Sequence, residues 1–154
     1  MNSLVFEIER LEKGEVLDFC KQIRGEFPYM LAEVELNEYS EKLSQKAEHV
    51  TCRNGECEII GMISFYMNNG KFGYITLAAI KKGFQKKHLF SKMLYLLEAK
   101  ARVQECAELS LEVARCNANA RSVYANSGFV LQAERDNSVI MNKTVCNQTF
   151  TRGG

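Results

Sequence analysis

Two stretches of this 154-residue chain carry side chains whose types and spacing suit chemistry. The first, Ile80-Lys81-Lys82-Gly83-Phe84-Gln85-Lys86-Lys87-His88-Leu89-Phe90-Ser91-Lys92, leads from a strand-like run straight into a helix-periodic one. Lysines ahead of a helix sit against its dipole, unfavourably by roughly a few tenths of a kcal/mol each, unless an anion arrives. Unpaired amides, four lysines and His88 make a seat for a phosphate or diphosphate. A plain solvated basic turn is the competing reading. The second stretch, Leu111-Glu112-Val113-Ala114-Arg115-Cys116-Asn117-Ala118-Asn119-Ala120-Arg121-Ser122-Val123-Tyr124-Ala125-Asn126-Ser127-Gly128-Phe129, reads as a strand, a helix capped by Asn117 and a stop at Gly128. It supplies a carboxylate, a phenol and a thiol, the groups that move protons or attack carbonyls. Cys116 has no histidine partner in the sequence, which counts against an acyl-carrying role.

Both stretches match a known pattern. The first resembles the pyrophosphate-binding segment of the GNAT superfamily of N-acetyltransferases, hydrophobic-x-Pro-x-aromatic-Arg/Gln-x-x-Gly-x-Gly/Ala, through Ile80, Phe84 and Gln85. Lys82 stands where proline is common, His88 where the first glycine is expected, and Phe90 where glycine or alanine usually sits. Glycine lets a loop backbone approach phosphate oxygens closely, and the β-carbon of His88 restricts that approach. The amides of a helix start do not depend on side-chain identity, and a protonated His88 can itself contact phosphate. The second stretch is similar to the same superfamily's Leu-x-Val followed by Asn-x-x-Ala-x-x-x-Tyr-x-x-x-Gly-Phe, matched by Asn117, Ala120, Tyr124, Gly128 and Phe129. The likeness spans residues 57 to 145.

The resemblance implies acyl transfer, with acetyl-CoA as cofactor and an amine-bearing small molecule or peptide as acceptor, by direct attack in a ternary complex. It implies cofactor contacts at Leu77, Ala78, Ala79, Gln85, Lys86, Lys87, His88, Leu89, Phe90, Ser91, Asn117, Ala120 and Tyr124. A backbone N–H near Leu77 to Ala79 is expected to meet the thioester carbonyl, and the small Ala78 and Ala79 leave room for a pantetheine arm along the strand edge. Tyr124 is expected to protonate the departing thiolate. The strand Tyr74-Ile75-Thr76-Leu77-Ala78-Ala79 lacks the glutamate that many relatives carry there. The motif also resembles that of the ribosomal-protein N-terminal acetyltransferases, in which the Leu-Glu-Val glutamate serves as base; Glu112 and Tyr124 keep the same separation. Buried beside an apolar cofactor tail, Glu112 would have its pKa raised toward a useful range. A tyrosine packed on its helix and a glutamate facing solvent are the plainer readings of the two residues.

The elements that must position these residues follow from periodicity. Val5, Phe6 and Ile8 read as a strand, and Val16, Leu17, Cys20 and Ile23 as a helix between Gly14 and Gly25. After Pro28, Asn37 is expected to cap a helix with Leu36, Leu43 and Ala47 as its apolar stripe. Asn54-Gly55 and Asn69-Gly70 mark turns joining strands at 49–53, 57–67 and 71–80. A helix over 88–103, a strand at 108–114, a helix at 118–127 and strands at 129–135 and 138–145 complete the order β-α-α-β-β-β-α-β-α-β-β. That order predicts an α/β fold with a mixed sheet, and it fits the GNAT-like fold the resemblance implies.

Composition bounds the alternatives. One domain over 1–146 with a flexible tail at 147–154 suits the length. Hydrophobic residues at 46% and charged residues at 25% are those of a folded globular chain. A net charge of +1 argues against a nucleic-acid partner, although the lysines with Phe84 and Phe90 motivate that rival. No apolar run spans a bilayer and the acidic start lacks a signal peptide's basic region, so no membrane partner and a cytoplasmic location are expected. The six cysteines show neither a Cys-x-x-Cys pair nor zinc spacing, so no metal is expected and the thiols read as reduced, small hydrophobes. The assembly is expected to be a monomer or a homodimer. The glycine-poor loop motivates a second rival, a catalytically idle acyl-CoA-binding sensor or scaffold of the same fold.

Overall fold

The computed structural model describes residues 3–28, 30–32, 34–67, 70–85 and 88–145. In chain order the elements are β1 (Val5–Glu9), α1 (Lys13–Glu26), α2 (Leu36–Lys46), β2 (Glu48–Arg53), β3 (Ile59–Tyr66), β4 (Phe72–Ile80), α3 (Leu89–Val103), β5 (Glu108–Ala114), α4 (Ala118–Asn126), β6 (Val130–Glu134) and β7 (Ser138–Thr144). The strands lie in the order β1-β2-β3-β4-β5-β7-β6, with β4 and β5 parallel. This is the mixed α/β sheet that the sequence predicts. The tail at 147–154, together with Lys86, Lys87, Asn69 and Cys146, lies outside the described residues.

Two expected boundaries shift for local reasons. β3 begins at Ile59 rather than 57 because the Asn54 side-chain oxygen accepts from the amides of Glu56 and Glu58 at 2.9 and 3.0 Å. Cys57 also takes a φ of 67°, which ends the extended chain there. The cap of α2 is Glu35, not Asn37: its carboxylate accepts from the amides of Asn37 and Glu38, which hold its carboxyl below the usual range. Asn37 already belongs to the helix, two residues past the cap position.

The chain divides into two compact units, Met1–Tyr66 with Leu77–Leu97, and Met67–Thr76 with Glu98–Gly154. Their boundaries fall inside β4 and α3. In the first unit, α1 buries Val16, Phe19, Cys20 and Ile23 against Leu36, Leu43 and Ala47 of the α2 region, with Met62 and Leu77 in the same core. Each such large apolar side chain contributes about 1.5–3 kcal/mol by leaving water. On the other sheet face α3 comes close over Gly61, where a β-carbon would meet Met93 Sδ at 3.2 Å and Ile80 Cγ1 at 3.4 Å. A polar layer lies under α2 and the sheet: His49, 0% exposed, holds Ser64 Oγ at 2.8 Å through Nδ1. Burial pushes His49 down to about 4, so it is neutral at ordinary pH.

In the second unit β5 alternates, burying Leu109, Leu111 and Val113 and turning Ser110, Glu112 and Ala114 to the other face. β5 pairs with β7 from Glu108↔Thr144 to Ala114↔Ser138. Phe129, Val139 and Met141 complete the apolar side. Glu98 of α3 meets Lys143 of β7 at 2.5 Å. Neither α4 nor β6 has a buried residue.

Candidate active site

The basic loop belongs to the first unit. It leaves β4 under backbone control: the Lys81 amide donates to the Ile60 carbonyl at 2.9 Å and the Phe84 amide to Lys81 at 3.2 Å. The Gln85 side chain turns back, Nε2 donating to the Ile80 carbonyl at 3.1 Å, so it closes the loop on the strand end. Lys82 also faces back toward the end of α1. Its amide donates to Glu26 Oε1 at 2.8 Å and its ammonium sits 5.6 Å from the centre of the Phe27 ring. The helix then opens through His88, whose φ of 58° is left-handed. That conformation costs a residue with a β-carbon about 1 kcal/mol and costs glycine little. Leu89 is 1% exposed and pins the helix start, whereas His88, Ser91 and Lys92 are exposed, and no acidic residue stands in the first turn of α3. Among the described residues the donor set at this turn is therefore cationic or amide, which fits a diphosphate. Lys86 and Lys87 lie outside the described residues.

On β4, Leu77 is 5% exposed with its side chain in the α1/α2 core, leaving its backbone for any cofactor contact. Ala78 and Ala79 are half-buried. The parallel register with β5 runs from Phe72↔Glu108 to Ile75↔Leu111, while β4 continues to Ile80.

The second stretch lies in the second unit and folds as the sequence predicts. Asn117 caps α4, its Oδ1 accepting from the Ala120 amide at 3.1 Å, and Gly128 ends it at a φ of 101°. Gly128 is doubly constrained: a β-carbon there would meet Lys143 Cε at 3.0 Å. The half-buried Tyr124 stands edge-on to Phe129, ring centres 5.9 Å apart, and burial pushes its phenol up to about 12. Glu112 is on the open face of β5, with 33% of its side chain exposed. It accepts a short hydrogen bond from the Ser138 hydroxyl and lies 3.9 Å from Arg135 Nη1. Cys116 is exposed.

Other residues shape these turns without any signal in the motifs. Arg115 meets Glu134 at 2.6 Å, donates to the carbonyls of Asp136 and Arg135, and receives Arg121 Nη1 on its own carbonyl at 3.0 Å. In the first unit Phe6, His88, Ser91, Lys92, Tyr95 and Leu96 line a groove of about 440 Å³ beside α3. Only spatial neighbours reveal either feature, because Arg115 and Phe6 meet partners distant in sequence. Among the described residues no cluster of three His, Cys, Asp or Glu side chains could hold a metal ion, and no helix is long and apolar enough to cross a membrane.

A family model described as the acetyltransferase (GNAT) family matches residues 16–129. No curated protein matches the sequence. Among solved structures the chain is similar to the PaiA N-acetyltransferase of Thermoplasma acidophilum in complex with coenzyme A, at 16% identity, 91% of this chain, 99% of that one and a TM-score of 0.74. It is similar to Tetrahymena GCN5 at 14% identity, covering 93% and 97% with a TM-score of 0.73. Ard1 of Thermoplasma volcanium matches at 18% identity over 92% and 98%, with a TM-score of 0.72. At such identities these likenesses establish the fold.

Proposed function

This chain belongs to the acetyltransferase (GNAT) family, and on that premise we propose that it moves an acetyl group from acetyl-CoA to a primary amine by direct attack in a ternary complex. The reading treats residues 1–146 as one acyltransferase domain. The observation that carries it is the backbone at His88: it turns left-handed at the motif position where glycine is expected. The loop thus keeps the conformation glycine would take freely although the side chain has changed.

The thioester supplies an activated carbonyl whose C–S bond breaks as the amine nitrogen bonds to carbon. The chain's residues handle position and protons. Amides at the start of α3, with His88, Ser91 and the loop lysines including Lys86 and Lys87, hold the diphosphate; Leu89 and Phe90 fix the helix start. Gln85 keeps the loop closed on Ile80. Backbone groups of Leu77, Ala78 and Ala79 orient the acyl arm, and Asn117 and Ala120 form the amide-bearing start of α4 beside Tyr124. Glu112 takes the amine's proton, directly or through water, with Ser138 orienting its carboxylate. Tyr124 faces the thiolate sulfur as donor. A phenol held at about 12 keeps its proton at every working pH, which suits a donor and excludes Tyr124 as base. The Glu112 and Tyr124 pairing, at the spacing of the N-terminal acetyltransferase motif, supports an amine acceptor without choosing a peptide over a small molecule.

Calorimetry with CoA and acetyl-CoA, followed by thiol release with a panel of amines, tests the reading. Heat with CoA and amine-dependent thiol release are expected; folded protein that gives no heat with any CoA compound sinks it. The His88 β-carbon favours one alternative, an idle acyl-CoA-binding domain. Binding without thiol release across the amine panel would establish that alternative.

A further inference from the structure

Two arginines meet at the turn between β6 and β7, and the fold uses up one of them. Arg115, just past β5, donates from its amide to the Asn137 carbonyl at 2.9 Å, from Nε to the Asp136 carbonyl at 3.4 Å and from Nη2 to the Arg135 carbonyl, while Nη1 holds Glu134 at 2.6 Å. The Arg135 amide donates to the Ser138 carbonyl at 2.8 Å. Residues 135 to 137 are thus fixed through their backbone, and the Arg135 side chain takes no part in holding the turn. It is 65% exposed, and among the described residues its one ion-pair partner is Glu112, Nη1 to Oε2 at 3.9 Å. That is beyond hydrogen-bond distance. The same Glu112 oxygen accepts from the Ser138 hydroxyl, so the paired contact that a guanidinium makes with a carboxylate is not formed. The proposed base therefore stands beside a cation whose N–H groups have no protein acceptor among the described residues.

We propose that the acceptor is a zwitterion at this site: an amine that carries a carboxylate within a few bonds of its nitrogen, with the ammonium meeting Glu112 and the carboxylate meeting Arg135. The inference rests on the reading of Glu112 as the base of acyl transfer and deepens it by naming the class of acceptor. An ammonium that approaches Glu112 also comes within reach of the guanidinium 3.9 Å away. An acceptor with a second positive charge is repelled there, whereas one with its own anion gives each charge of the site an opposite partner. The dimensions agree. Bond lengths place the nitrogen and a carboxylate oxygen of an α-amino acid about 3 Å apart, close to the separation of the two charged groups of the site. The guanidinium then makes the charge-assisted contact that Glu112 does not give it. A free amino acid presents this chemistry through its α-carboxylate, and a peptide beginning with Asp or Glu presents it through its side chain.

Thiol release from acetyl-CoA by the full chain tests it, with the common amino acids against their α-amides, peptides beginning with Asp or Glu against those beginning with Asn or Gln, and polyamines. In at least one of the two matched series the carboxylate-bearing amine should be preferred about ten-fold in kcat/KM, mainly through KM, and should also exceed the polyamines. The series that shows the preference identifies the source of the carboxylate. Arg135→Gln should bring that ratio close to one, and Arg135→Glu should turn the preference toward polyamines. The side chain is exposed, so both variants are expected to fold. A wild type that prefers the amides or the polyamines would overturn the proposal while the acyl-transfer reading stands. So would a wild-type ratio retained in Arg135→Gln. Thiol release with no amine at all would remove the acyl-transfer reading, and this acceptor class with it.

Discussion

The two strand-to-helix turns, β4 into α3 and β5 into α4, are built from the same parts and use their cations oppositely. In the β5–α4 turn Arg115 is consumed internally: Glu134 and the carbonyls of Arg135 and Asp136 take up its guanidinium, and Asn117 caps the helix. In the β4–α3 turn the backbone and Gln85 close the loop, and His88 and Lys92 are left exposed at the helix start. One turn spends its cation within the fold and the other leaves its cations exposed. Positive charge before a helix therefore says little alone; what decides its role is whether an acceptor within the fold already takes it.

The contrast can be broken most strongly at the β5–α4 turn, where the chemistry is proposed to sit. Tyr124→Phe is expected to lower kcat by about 100-fold or more with CoA affinity unchanged; an unaltered kcat would remove the phenol from the reaction. With the phenol at about 12, its neutral form is lost only as pH rises toward that value. The wild-type rate should therefore show no falling limb from Tyr124 below about pH 11.

Glu112→Gln should lower kcat by about ten-fold or more. A wild-type kcat in that variant would leave Glu112 as the partner of Ser138 and Arg135 alone. The last two tests weigh the turns against each other. Arg115→Ala should lower Tm only slightly, because its ion pair with Glu134 is largely exposed, with CoA affinity unchanged. His88→Gly should raise stability by up to about 1 kcal/mol by relieving the left-handed backbone, and preserve or tighten CoA binding. Complete loss of binding would assign the imidazole itself to the ligand.

Where local spacing carried the information, residues alone were sufficient. The helical spacing of Ala120, Val123 and Tyr124 between Asn117 and Gly128 predicts α4 with its cap and its stop, and β5 keeps the expected bounds of 108–114. The α2 cap was less legible. Asparagine is the better capping residue, yet Glu35 occupies the position where the helix begins and Asn37 does not. The partners of Glu112 were not legible either, since Ser138 and Arg135 belong to β7 and the turn before it and no motif mentions them.

By itself the sequence determined the order of elements, the cap and stop of α4, and the family. Each of these depends on short-range periodicity and on backbone chemistry. Only tertiary structure decided which charges stay available, that Lys82 lies over Phe27, that Arg115 is spent on the β6–β7 turn, and that Phe6 walls a groove beside Tyr95. These depend on strand register and helix packing, which bring together side chains with no fixed separation along the chain.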